Sequence, residues 1–384
     1  MRALPRLLLL CSLLLLPVLL AAPWVTGRLA EQVYWQTLEG LREQPGVTVL
    51  GEGGYQRRYG QGEGITRVSL AAGDGRPAMT LQLTTDVEHR LTGVRSRTRV
   101  SGNSGLFPGG EPQLQLRAGL TGGLQGAFSV PAMHWPGAGG KGLQLQGFDG
   151  ILAWRPGRQL NLTSTWEALS RGGQETPDWA LTKGEFSLIG SASREQLNAS
   201  LTLTADTLQV QGNPLGEQRF KGQIADFHGP SVVGIVSALE ALYGQRQYLT
   251  LSAEAQEQRL AFNQLSDHLQ ALSVHGGELT LSLDSGGEGL GSLDGHLRLT
   301  YPALPDPYRQ LPVSLLQHAQ GETHVRLDRA YGEGMPAGMQ PLLSHWQDKN
   351  WLKPHLQGLV FSARLKERVL LLEDGREIKL PPLL

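Results

Sequence analysis

From residue 47 onward, leucine, valine and methionine alternate with threonine, glutamine and serine at a period of two. The pattern is plain in Met79-Thr-Leu-Gln-Leu-Thr-Thr, Leu114-Gln-Leu, Leu143-Gln-Leu-Gln, Leu160-Asn-Leu-Thr, Leu201-Thr-Leu-Thr, Leu208-Gln-Val-Gln, Leu249-Thr-Leu-Ser, Leu279-Thr-Leu-Ser-Leu and Leu297-Arg-Leu-Thr. Successive side chains of a strand point to opposite sides, so each run predicts a strand with one apolar and one polar face. Strands buried on one face only belong to antiparallel sheets. Fifty glycines supply the turns, many as pairs between the runs: Gly109-Gly110, Gly122-Gly123, Gly139-Gly140, Gly172-Gly173 and Gly286-Gly287. The expectation is a mainly β chain, an elongated antiparallel sheet or sandwich of meandering hairpins with a few covering helices.

Helical periodicity interrupts the alternation in few places. Residues 28–43 repeat Leu29, Val33, Leu38 and Leu41 until Pro45-Gly46 ends the run. Residues 231–243 (Val232, Val233, Ile235, Val236, Leu239, Leu242) and 258–272 (Leu260, Phe262, Leu265, Leu269, Leu272) each carry a broad apolar stripe, expected to cover the apolar face of the sheet. A weaker helical window spans 339–349. The helices at 231–243 and 258–272 are each expected to follow one strand and precede another.

Ahead of all this, residues 7–25 form a 19-residue run without a charge, preceded by Arg2 and Arg6. Such a run is long enough to cross a bilayer as a helix, and the flanking arginines favour a cytoplasmic N-terminus. The bulk of the chain is then expected in the bacterial periplasm, held to the inner membrane by a single span. Cleavage as a signal peptide has weak options after Ala22, with Leu20 three residues back, and after Gly27, with Val25 three back, so the segment is expected to be retained. Cys11 lies within the run with leucines around it, which makes it a passive thiol rather than a lipidation site. The expected organisation is an anchor over 1–27, a helical lead-in over 28–46 and an extracytoplasmic β-rich domain over 47–384, with a stiff, proline-rich sub-boundary near 302–312.

Charge and composition narrow the chemistry. Cys11 is the one cysteine, so the exported part can hold neither a disulfide nor a thiolate metal site. A net charge of -1, with basic clusters confined to Arg57-Arg58 and 95–99, argues against nucleic-acid binding. The ten histidines show no His-Glu-x-x-His spacing, and neither Gly-x-Ser-x-Gly nor Ser-x-x-Lys occurs. Gly60-Gln-Gly-Glu-Gly64 lacks the lysine and following helix of a phosphate cradle. Paired acids, Glu373-Asp374 and Asp284 with Glu288, sit in turn-like contexts. Trp135, Trp154, Trp166, Trp179, Trp346 and Trp351 fall near loops or strand ends and suit core filling better than ligand stacking. The glycosylation triplets at Asn161 and Asn198 arise readily by chance. No catalytic, cofactor-binding or metal-binding residue is expected, and no cofactor.

Three blocks carry a resemblance. The first is Trp24-Val-Thr-Gly27 with Glu31, followed by Tyr55-Gln-Arg-Arg-Tyr59-Gly60. The second is Leu208-Gln-Val-Gln-Gly-Asn-Pro-Leu-Gly216 with 220–227 and the helix from Ser231. The third is 269–299 together with Leu356-Gln-Gly-Leu-Val-Phe-Ser-Ala-Arg-Leu through Glu373-Asp-Gly375 and Ile378. Together they resemble the YdgA-like family of Gram-negative envelope proteins, whose function is not established. The resemblance implies a membrane-tethered periplasmic β-rich protein and carries no functional residue across. Two functions compete: a non-catalytic envelope binding or structural module, acting on other envelope proteins or on itself, and a groove that holds phospholipid acyl chains. They differ in whether the face built from Leu201, Leu203, Leu279, Leu281 and Leu283 is closed or open. A cell-wall or glycan hydrolase is a remote third reading that rests on location and unassigned acids.

Overall fold

The computed structural model describes residues 3–42, 47–70, 79–102, 105–119, 122–135, 141–157, 159–173, 177–193, 195–244, 251–303, 319–335, 340–356 and 358–379. The chain falls into two compact units, 1–156 and 157–384. The expected junction near 302–312 lies from residue 304 outside the described residues. Every pairing among the described strands is antiparallel, as the alternation requires.

In the first unit a single helix, α1 (Ala3–Arg42), leads into seven strands: β1 (Val47–Arg58), β2 (Gln61–Leu70), β3 (Met79–Arg90), β4 (Gly93–Gly102), β5 (Gln113–Gly119), β6 (Leu124–Trp135) and β7 (Gly142–Arg155). Each pairs with the next in a meander. The lead-in and the apolar run are thus one helix. Among the described residues no helix is long and apolar enough to cross a membrane. The side chains of 3–22, where most of the apolar run falls, are outside the description.

The second unit continues with β8 (Gln159–Gly172), β9 (Pro177–Ala192), β10 (Gln196–Val210) and β11 (Asn213–His228). The helices α2 (Gly229–Gly244) and α3 (Leu251–His275) intervene before β12 (Gly277–Gly287), β13 (Gly291–Tyr301) and β14 (Gln320–Asp328). Short helices α4 (Arg329–Gly334) and α5 (Gln340–Asp348) precede β15 (Lys353–His355), β16 (Gly358–Lys366), β17 (Val369–Leu372) and β18 (Glu377–Lys379). Pairing follows the chain from β8 to β14, then β16, β17 and β18, with β15 on the β17 edge of β16.

Three expectations change. The runs at Leu201 and Leu208 belong to one strand, β10, whose pairing with β11 shifts register between Ala205 and Leu208. The strand expected at Leu249 is absent where it can be seen: 249–250 lie outside the described residues and Leu251-Ser252 open α3. Finally, α2 and α3 do not lie across the apolar sheet face. They pack on each other, with β11 as their main sheet contact. Gly234 of α2 approaches the His268 ring of α3 so closely that a Cβ would collide with it. His228 at the start of α2 stacks on His275 at the end of α3, with ring centroids 4.2 Å apart. The apolar stripes are partly spent on this hairpin, while Val233, Leu260 and Phe262 stay exposed.

The best-formed core of the second unit sits where α4 and α5 cover one end of the sheet. Leu215, Leu327 and Tyr331 are buried there, with Leu208, Val210, Leu293, Met335, Leu343 and Leu359 packed against them. The Tyr331 and Ser285 hydroxyls are hydrogen-bonded. Asp328 ties the entry to α4 back to β13 by accepting from the Ser292 amide at 3.1 Å and hydroxyl at 2.8 Å.

Candidate functional site

Strand register places the leucines of the second unit in continuous cross-strand rows. One row runs Leu162, Leu188, Leu201, Gly222, Leu281, Leu297, Thr323, Ala363, Leu372. Beside it run Leu160, Gly190, Ala199, Ile224, Leu279, Leu299, Gly321, Leu365, Leu370 and, on the other side, Ser164, Phe186, Leu203, Phe220, Leu283, Gly295, Val325, Phe361. Neighbouring strands lie about 4.8 Å apart, so nine strands make a face roughly 38 Å across. Within these three rows Ser164 and Thr323 are the only hydrogen-bonding side chains, and the next row along brings Trp166, Gln218 and Ser285.

This face is not sealed. Leu201, Leu203, Leu279 and Leu281 are half-buried, and Leu283 is 37% exposed. Full burial of the aliphatic members comes only at the β16–β17 end, at Ala363, Leu365 and Leu372. A leucine in a closed core touches neighbours on all sides and loses nearly all its accessible surface. The α4–α5 cap covers the adjoining row, Leu293, Leu327 and Leu359, rather than these leucines.

The opposite face is mainly polar: Lys221, Gln223, Arg298, His296, Glu322, His324 and Arg364 are exposed there, with Ile189 and Leu371 as exposed apolar members. It gathers several residues that are scattered in sequence. Asp284 faces Asp294 across the β12–β13 ladder rather than joining Glu288. Burial first, and then the Asp284 carboxyl beside it, push Asp294 above the usual carboxylate range. His296 opposes His324, whose Nδ1 lies 2.8 Å from the Ser362 hydroxyl. Among the described residues no group of three or more His, Cys, Asp or Glu side chains could hold a metal. Glu373-Asp374 proves to be part of a tied turn. Partial burial alone would raise Asp374, but donors from Arg376 and Lys353 outweigh it and hold the carboxyl at about 2. Trp166 is buried, Trp179, Trp346 and Trp351 are half-buried, and Trp135 and Trp154 are exposed.

In the first unit, the residues of the first sequence block converge where α1 docks on the sheet. The inward face of β2 is Gly62, Gly64, Thr66 and Val68. The two glycines leave room for rings: a Cβ on Gly64 would lie 2.7 Å from the Tyr34 ring, and one on Gly62 would strike the Tyr55 hydroxyl. Tyr34 then reaches Thr66 Oγ1 at 2.6 Å and packs on Tyr55 with ring centroids 5.1 Å apart. Gly27 does the same from the helix side, where a Cβ would meet His89 at 3.2 Å and Arg57 at 3.3 Å. Glu31 pairs with Arg57 at 3.5 Å, and the Arg28 guanidinium lies 4.3 Å from the Trp24 ring centroid.

His89, at 5% exposure, is the member that sequence reasoning missed. It lies 62 residues beyond Gly27 on β3, where nothing local marks it. Among the described residues the Tyr55 hydroxyl has no hydrogen-bond partner and neither His89 ring nitrogen makes a well-formed one, the Gln61 backbone being the nearest approach. Burial pulls His89 below its ordinary value, Arg57 pulls it further, and the Gln61 backbone opposes both. Burial and then Glu31 push Tyr55 up to about 12, against the opposing pull of Arg57. Neither group is set to exchange protons at neutral pH. The cluster is a docking joint for α1.

Residues 172–350 match the model of a family described as a bacterial protein of unknown function (DUF945). No curated protein and no solved structure matches the chain.

Proposed function

We propose that the chain is a membrane-anchored, periplasmic, non-catalytic binding protein that holds acyl chains on the leucine face of its second unit. The incomplete burial of that face carries the reading. Rows of half-buried leucine and phenylalanine with almost no hydrogen-bonding side chain suit an occupant that itself lacks polar groups along its length. A protein partner brings roughly one hydrogen bond per 100–200 Å² of interface and needs matching donors and acceptors, which this face does not offer.

The anchor is supported by residues 7–25, about 28 Å of helix at 1.5 Å per residue, with Arg2 and Arg6 before it. Trp24 stands at its far end, 49% exposed, where an indole suits a membrane interface. The resemblance to YdgA-like envelope proteins favours the same location. A second reading, an envelope module acting through protein contacts or self-association, draws on Val233, Leu260 and Phe262, exposed on the α2–α3 hairpin.

Native mass spectrometry of the detergent-extracted full chain tests both. The expected result is an intact chain beginning at its own N-terminus, carrying phospholipid that persists after detergent is stripped. A species starting at Pro23 or Arg28 would remove the anchor. A lipid-free homo-oligomer would select the second reading over the first.

A further inference from the structure

At one end of the first unit, the strand ends collect more arginines than carboxylates: Glu88 lies opposite Arg95 across the β3–β4 ladder and is shared with Arg90. Arg95 on β4 sits directly opposite Arg117 on β5. Like charges placed directly opposite across an antiparallel pair destabilise it, and Glu88, on the other side of Arg95 but shared with Arg90, offsets only part of the repulsion, which leaves Arg117 without a facing carboxylate. Arg90 at the end of β3 and Arg155 at the end of β7 complete a cavity of about 420 Å³, with Trp154 and Gln125 also in its wall. Glu88 accepts a hydrogen bond from Arg90 at 2.6 Å. Among the described residues no carboxylate forms an ion pair with Arg95, Arg117 or Arg155.

We propose that this cavity binds a small phosphorylated ligand bearing at least two negative charges, gripped by Arg95, Arg117 and Arg155. The three guanidiniums come from three different strands. They therefore reach an anion from separate directions, which suits the tetrahedral oxygens of phosphate better than a planar carboxylate that one fork would satisfy. The volume falls in the range of small-molecule sites. This site belongs to the first unit and the leucine face to the second, and the two share no residue, so either can fail without the other.

Inorganic pyrophosphate titrated calorimetrically into the detergent-solubilised full chain at low salt should bind saturably, and binding should weaken as salt rises. Arg117→Gln should lower the affinity about tenfold or more, the effect of one charge-assisted hydrogen bond. The same variant, measured without ligand, should melt no lower than the parent because it relieves the opposition to Arg95. Displacement of pyrophosphate by glycerol 1-phosphate would assign a soluble ligand, and displacement only by detergent-dispersed phosphatidic acid a lipid headgroup. The proposal is overturned by any of four results: no saturable binding, equal affinity in Arg117→Gln, a melting point that drops by several degrees in that variant, or displacement by neither phosphate.

Discussion

Leu281→Asp discriminates an open leucine face from a closed core. Leu281 lies between Gly222 and Leu297 in the middle of the three rows and is half-buried. Full burial of a leucine is worth about 1.5–3 kcal/mol, so half-burial leaves about 1 kcal/mol to lose. In a closed core the new carboxylate would also be stripped of water without a partner, adding several kcal/mol. A total above about 4 kcal/mol would consume much of the 5–15 kcal/mol that stabilises an ordinary domain. On an open face, water reaches the carboxylate and the cost stays near 1–2 kcal/mol. Urea unfolding should therefore show a modest loss for Leu281→Asp, and mass spectrometry should show its phospholipid gone. Thr280→Asp places the same charge one residue away on the polar face, between Gln223 and Arg298. It should shift stability by no more than about 0.5 kcal/mol and keep its lipid. Unfolding of Leu281→Asp by more than about 4 kcal/mol would refute the open face. Equal tolerance at both positions with lipid unchanged would refute the assignment of sides.

Two further outcomes follow from the docking joint. Gly64→Val should push the Tyr34 ring off β2 and cost about 1–3 kcal/mol, as overpacking does, read as a lower melting temperature with faster proteolysis near residue 42; an unchanged melting point would mean that α1 is not seated as described. For His89, whose folded value is depressed, the unfolded chain takes up the proton first, so stability is full above about pH 6.5 and falls as pH drops through the folded-state value. The urea midpoint should fall from pH 7 to pH 5, and fall less in His89→Gln, with His228, also depressed by burial and by His275, accounting for part of the remaining slope; identical slopes in parent and variant would sink this assignment.

The strands were legible because period two is a local property, visible in Leu279-Thr-Leu-Ser-Leu without knowing any partner. Leu249-Thr-Leu-Ser misled because a four-residue alternation also fits the first turn of a helix, and Leu251 lies on one. Alternation identifies which face is apolar and is silent on what covers it, so the open state of the leucine rows had to come from packing. Contacts set by register were out of reach for the same reason. Asp284 meets Asp294, and Arg95 meets Arg117, only through hairpin pairing that no motif encodes. The joint around Gly27 was half legible: Trp24, Glu31, Tyr55 and Arg57 stood out as a block, whereas His89 is joined to them by the fold alone.

The unbroken run of α1 sets a rotational phase. Forty residues of helix form a rod about 60 Å long, and the stretch from Gly27 to Leu38 fixes about 16 Å of it against the sheet. Each residue along such a rod turns the side-chain direction by about 100°. Removing one residue between the seated stretch and the apolar run would therefore swing every earlier side chain by that angle about the axis, with the sheet held still. Which flank of the first unit is presented to whatever holds residues 7–25 is thus written into the count of residues before Gly27.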